Sequence, residues 1–214
     1  MKQKNIFSKS EGNAWFDRNT KSLNKCNYPD SDMVLVEMMN ISDLPKNAKV
    51  LEIGCGDGAR LNWLKEECNF DCYGLDPSEK AVELANKRGI KAYQGTADQL
   101  PFKTDEFDIV IFGFCLYLCD REDLFQISYE ADRVLKKSSW LLILDFYSKT
   151  PRKVEYHHYS GLFSYKMDYR ELFMWHPSYV TFSHKVFHHS EHSYTDDENE
   201  WVALSMLRKN LIDE

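Results

Sequence analysis

Three glycines alternate with small residues in Val50-Leu51-Glu52-Ile53-Gly54-Cys55-Gly56-Asp57-Gly58, directly after an apolar run that contains one carboxylate. Glycine at the exit of a buried strand lets the backbone turn sharply and approach a ligand with no Cβ in the way. Eighteen residues beyond Gly58, the run Cys72-Tyr73-Gly74-Leu75 ends in Asp76. A carboxylate at that spacing accepts hydrogen bonds from both hydroxyls of a ribose. Together the two signals predict a cradle for a nucleotide-like cofactor. The glycines alone do not choose which one, because Gly54-Cys55-Gly56-Asp57-Gly58-Ala59 also satisfies a relaxed dinucleotide-binding pattern. Glu52 adds a constraint, since a carboxylate inside an apolar strand is costly to bury without partners.

These residues need strands that end on one rim. From Lys49 the hydrophobic periodicity alternates, with strands expected over residues 50–53, 72–75, 91–94, 107–112 and 140–146 and helices over 60–68, 79–88 and 122–136. Such alternation predicts an α/β fold with a doubly wound, mostly parallel sheet, whose ligands lie at the carboxyl ends of the strands. Residues 32–39 read as a short helix before the sheet. After Phe146 the alternation pauses in a segment rich in Tyr, His and basic residues, followed by a helical pattern over 169–175 and two β-rich runs over 179–187 and 201–207. At 214 residues one domain is the simplest count. Its parts are an N-terminal cap (1–44), a cofactor-binding core (45–146), an acceptor-side insertion (147–175) and a terminal strand pair (176–214).

The apolar run, Glu52, the Gly-x-Gly-x-Gly turn and Asp76 resemble the first motif and following acidic position of the class I S-adenosylmethionine-dependent methyltransferases. In that family the position of Glu52 organises the loop and the amino end of the methionine moiety, whereas in dehydrogenases it is ordinarily apolar. The resemblance extends to Ala97-Asp98 with Leu100-Pro101-Phe102, which implies that Asp98 accepts from the adenine amine. It also takes in Phe112-Gly113-Phe114, which implies a wall at the methionine and sulfonium end, with Tyr117 standing where a histidine is common. Arg133-Val134-Leu135-Lys136 matches a family run, but Lys137-Ser138-Ser139 replaces Pro-Gly-Gly and changes the turn. The family implies a seven-stranded sheet with an antiparallel last strand, S-adenosylmethionine as cofactor and S-adenosylhomocysteine as product. Cofactor-binding residues implied are Glu52, Gly54, Cys55, Gly56, Asp76, Pro77, Ala97, Asp98, Phe112, Gly113 and Phe114. Trp15 and Arg18 are expected to fold over the cofactor, Arg18 pairing with its carboxylate.

The formal net charge of −7 offers no global attraction to a polyanion and argues against a nucleic-acid partner. Cys26, Cys55, Cys68, Cys72, Cys115 and Cys119 form no paired framework and read as reduced thiols. The start of the chain lacks an apolar secretory segment and no stretch approaches membrane-spanning length, so a cytoplasmic protein without a membrane partner is expected. Oligomeric state is not readable from the chain.

All seven histidines lie beyond residue 156, which points to an acceptor-binding half. His157 and His158, set among aromatic residues, are the candidate bases, with Tyr117 as a further catalytic candidate. Along a strand His184 and His188 share a face with His189 on the other, and no third ligand completes a set, so no metal is expected. The leading expectation is methylation of a small metabolite, and the resemblance is greatest to bacterial enzymes that modify sugars or related small molecules. Its alternatives are an RNA or protein methyltransferase, a non-catalytic cofactor-binding regulator and an NAD-dependent oxidoreductase.

Overall fold

Successive residues of the central strands point to two different apolar layers, which explains why those strands read as continuous hydrophobic runs. In β1 (Lys49–Ile53), Val50 joins one layer while Leu51 and Ile53 join the other. The computed structural model describes residues 2–23, 28–191 and 193–210. Cys26 and His192 lie outside the described residues.

The sheet continues with β2 (Asp71–Asp76), β3 (Lys91–Gln94), β4 (Phe107–Gly113) and β5 (Leu135–Phe146). A separate hairpin, β6 (Arg152–Glu155) and β7 (Phe163–Lys166), precedes β8 (Tyr179–His188) and β9 (Trp201–Lys209). Seven strands pair in the order β3-β2-β1-β4-β5-β9-β8, and β9 runs antiparallel to both its neighbours. The parallel strands therefore end along one rim, as expected.

The N-terminal cap holds α1 (Gln3–Ile6), a π-helical turn over Phe7–Glu11, α2 (Gly12–Leu23) and α3 (Met33–Met38). Asp32 caps α3 by accepting from Val34 and Leu35 N–H at 2.9 and 3.2 Å. The helices α4 (Ala59–Cys68) and α5 (Glu79–Lys87) bury Leu61, Leu64, Val82 and Ala85 in the same layer as α3. On the opposite face, α6 (Leu124–Val134) and α7 (Glu171–Met174) contribute Ile127, Ala131 and Phe173. Among the described residues no helix is long and apolar enough to cross a membrane.

Two segments depart from expectation. The loop after Phe146 folds into the β6–β7 hairpin, whose strands are too exposed to carry an apolar alternation. Residues 136–139 bulge out of β5, which pairs with β4 through Leu135 opposite Phe107 and resumes with Trp140 opposite Ile109. Within that bulge Ser138 has φ +56°, the left-handed region in which glycine is at ease. Replacing Ser138 by glycine is expected to raise stability by about 0.5–1 kcal/mol, the relieved strain being partly offset by a freer unfolded chain. Urea denaturation of both proteins measures it.

Candidate active site

The turn after β1 is built by backbone geometry. Gly54 has φ +81° and donates its N–H to Leu75 C=O at 2.8 Å. A Cβ there would lie 2.8 Å from both the Cys115 Cβ and the Gly113 carbonyl oxygen. Gly56, at φ +53°, donates to an Asp76 carboxylate oxygen at 2.9 Å, and Ser78 N–H donates to the other oxygen at 2.8 Å. Asp76 thus holds the glycine turn and still offers lone pairs to a ligand. Burial pushes its carboxyl up to about 6, against the pull of those two N–H groups.

Beneath the turn lies a buried charge cluster. Arg60, the second residue of α4, ion-pairs with Glu52 through one guanidinium nitrogen and with Asp32 at 2.8 Å through Nε. Glu52 is 3% exposed, and burial raises its carboxyl while the Arg60 guanidinium opposes that rise. Its Oε1 is taken by Arg60, but its Oε2 is buried without a hydrogen-bond partner. Only glycine leaves room beside it, since a Cβ on Gly113 would lie 2.6 Å from Glu52 Oε1. Glu52 also lines the cleft, so a ligand group that reaches this oxygen meets an acceptor suited to an ammonium donor.

The cleft comprises about 1250 Å³ including its open mouth. Glu52, Gly54, Cys55, Gly56, Asp76, Pro77, Ala97, Asp98, Gly113, Phe114 and Trp15, all singled out in the sequence, line it together. Phe114 adopts φ +50° and packs its ring at a 58° tilt against Phe146, 5.5 Å between centroids. Trp15 comes over from α2 and donates its indole N–H to the Tyr117 hydroxyl at 3.1 Å.

Five anticipated residues are placed otherwise. Arg18 is outside the cleft lining because Glu11, seven residues earlier in the cap, captures its guanidinium, and Arg18 also donates to the Tyr156 hydroxyl at 2.9 Å. Phe112 is fully buried in the apolar layer behind the rim, near Phe173. His157 and His158 are exposed in the turn of the β6–β7 hairpin and do not line the cleft. Tyr117 is buried one layer behind the lining, edge-on to Phe146, and burial holds its phenol far above the range in which it ionises.

Sequence reasoning missed Lys4, Phe7 and Arg60, all in the lining. Arg60 had a signal, being the first basic residue after a carboxylate that needs a counter-ion. Lys4 had none. Its ammonium bridges Asp98 and Asp123, lying 2.8 Å from the latter. The cap is fastened over the cleft by Gln3, which accepts from Phe163 N–H at 2.6 Å and donates to Leu118 C=O at 2.9 Å. The five described cysteines are free thiols, and burial pushes Cys72 and Cys119 up to about 12.

Residues 51–143, which supply this turn and most of the rim, match the family model described as a methyltransferase domain. That match covers 93 of the 214 residues and marks this stretch as methyltransferase-like. The chain is similar to YcgJ of Bacillus subtilis (strain 168), an uncharacterized methyltransferase, at 29% identity over 52% of this chain and 46% of that protein. A fatty-acid O-methyltransferase of Mycolicibacterium smegmatis is 32% identical over 45% of this chain and 36% of its own length. The chain thus spans less than half the length of these two curated relatives. The methyltransferase fold is shared with the 1,6-didemethyltoxoflavin-N1-methyltransferase of Burkholderia thailandensis, solved with 1,6-didemethyltoxoflavin and S-adenosylhomocysteine bound. That likeness has a TM-score of 0.70 over 94% of this chain and 87% of that one, at 14% identity.

Proposed function

We propose that this chain is an enzyme that transfers the methyl group of S-adenosylmethionine to a small metabolite and releases S-adenosylhomocysteine. The observation that carries the reading is the unpartnered Oε2 of Glu52 in a cleft shaped by Gly54 and Gly113. Glu52 is assigned to the ammonium of the methionine moiety, Asp76 to the ribose hydroxyls and Asp98 to the adenine amine. Gly54, Cys55 and Gly56 form the cradle, with Pro77, Ala97, Gly113, Phe114 and Trp15 as its walls. When bound, S-adenosylmethionine supplies an electrophilic methyl on a sulfonium centre.

The chain's own contribution is placement and dryness. Well-oriented reactions gain up to roughly 7–11 kcal/mol from holding the reacting groups in line. The cap, pinned by Gln3 and Lys4, brings Phe7 and Trp15 over the cleft, and Phe114 adds an apolar wall from the end of β4. Among the described residues lining the cleft there is no histidine, so the reading assigns no histidine base. A small acceptor suits the relatives named above and the net charge of −7. A sugar, the narrower expectation from sequence, has no counterpart in those relatives' names. Incubating the protein with methyl-labelled S-adenosylmethionine and a metabolite extract tests the reading. Label in a small molecule supports it; no transferred label, or label only in RNA or protein, counts against it.

Acid is expected to weaken cofactor binding. Below about 6 Asp76 takes up a proton and loses an accepting oxygen, so affinity for S-adenosylmethionine falls as pH drops from 7.5 to 5. Asp76→Asn isolates this contribution, because that variant binds weakly at both pH values and calorimetry should show a flatter pH profile.

A further inference from the structure

The third ligand that the histidine spacing lacks is supplied from across the β8–β9 connection. We propose that His188, His189 and Glu200 form a site for a divalent transition-metal ion of the zinc class, coordinated by two imidazole nitrogens, one carboxylate oxygen and solvent. The proposal does not depend on the methyl-transfer reading.

In a continuing strand, successive side chains alternate faces, so His188 and His189 would diverge. The strand ends at His188, and His189 N–H donates to the Glu200 carbonyl at 2.9 Å. There both rings lean toward the Glu200 side chain. His189 Nδ1 is 2.9 Å and His188 Nε2 is 3.6 Å from the same Glu200 oxygen, Oε2. One donor atom from each residue lies within 4.8 Å of the other two. Tetrahedral zinc with bonds of about 2.0–2.1 Å needs donors about 3.3 Å apart, so the two Glu200 spacings bracket the requirement and side-chain rotation closes the third. Imidazole with a carboxylate favours Zn²⁺, Ni²⁺ or Cu²⁺ over Mg²⁺ or Ca²⁺, which prefer all-oxygen shells.

Glu200 is oriented from the backbone, its N–H donating to Asp197 C=O at 3.0 Å while its own C=O accepts from His189. The three side chains are 19%, 44% and 39% exposed, which leaves the remaining coordination positions open to water. Metal capture has a definable cost. His188 Nδ1 accepts from Ser190 N–H at 3.1 Å, and ligation through Nε2 moves the ring proton to Nδ1 and gives up that bond. Lys166, which donates to the Asn199 carbonyl, is a cation that interacts with Glu200 and would compete with a bound ion. Ligation would staple the end of β8 to the start of β9 and brace Phe146, whose ring centroid lies 6.0 Å from that of His189 and 4.9 Å from that of Tyr117.

The test is calorimetric titration of the metal-free full chain with Zn²⁺, followed by X-ray absorption of the loaded protein. One equivalent is expected, with nitrogen and oxygen donors at about 2.0–2.1 Å and no sulfur at about 2.3 Å. His189→Ala and Glu200→Gln should each weaken binding about tenfold or more, with His176→Ala, at the other end of β8, leaving it unchanged. Absence of stoichiometric uptake, sulfur in the shell, or undiminished binding in Glu200→Gln would overturn the assignment.

Discussion

Replacing Gly54 by valine is expected to abolish measurable S-adenosylmethionine binding, a loss of at least about 100-fold in affinity, which corresponds to roughly 2.7 kcal/mol. Two costs coincide at this position. The residue sits at φ +81°, where a β-branched side chain is strained, and its Cβ would lie 2.8 Å from the Gly113 carbonyl and the Cys115 Cβ. Neither neighbour is the end of a flexible side chain. Relief must come from moving the turn, and the turn positions Gly56 N–H against Asp76. Calorimetry reads the loss, and circular dichroism of the same sample shows that the sheet persists. Near-native affinity in this variant would mean that the glycine turn is not the cradle.

Replacing Arg60 by leucine is expected to cost about 3–5 kcal/mol of folding stability, because it strands two buried carboxylates without their counter-ion. Glu52 and Asp32 are 3% and 7% exposed, and both pair with Arg60 in the native chain. The deficit should shrink in acid. Without the guanidinium the folded-state pKa of Glu52 rises further above its unfolded value, so the folded variant binds a proton that its unfolded chain releases, and lowering the pH favours folding. Urea denaturation at pH 7.5 and 5.5 measures both effects. A variant that loses less than about 1 kcal/mol at the higher pH would show that the pair is solvated, since exposed pairs contribute about that little.

The fold was legible where burial is two-sided. Val50 and Leu51 join opposite apolar layers, and such strands announce themselves as unbroken hydrophobic runs. The β6–β7 hairpin was not legible, because a pair of strands covering a rim from outside has no inward face to pattern. The bulge in β5 was half legible. The replacement of glycines by Ser138 and Ser139 signalled a changed turn, and Ser138 keeps the left-handed conformation without the residue that favours it.

At the site, the charges and glycines were readable because their chemistry is local to a strand end. The cap was not, since Lys4 reaches Asp98 and Gln3 reaches Phe163 only once the chain is folded. Arg18 reads in the sequence as a partner for the cofactor carboxylate. Glu11 lies seven residues earlier, on the same helical face, and supplies a carboxylate from within the chain. The histidine bias pointed to His157 and His158, and the structure leaves both exposed in the β6–β7 turn, away from the cleft lining.

A crystal structure of the chain with S-adenosylhomocysteine tests the central claim most directly. The account predicts the ligand's ammonium within hydrogen-bond distance of Glu52 Oε2 and its ribose hydroxyls on Asp76. A ligand bound elsewhere, or one in the cleft with Glu52 Oε2 still unpartnered, would contradict it.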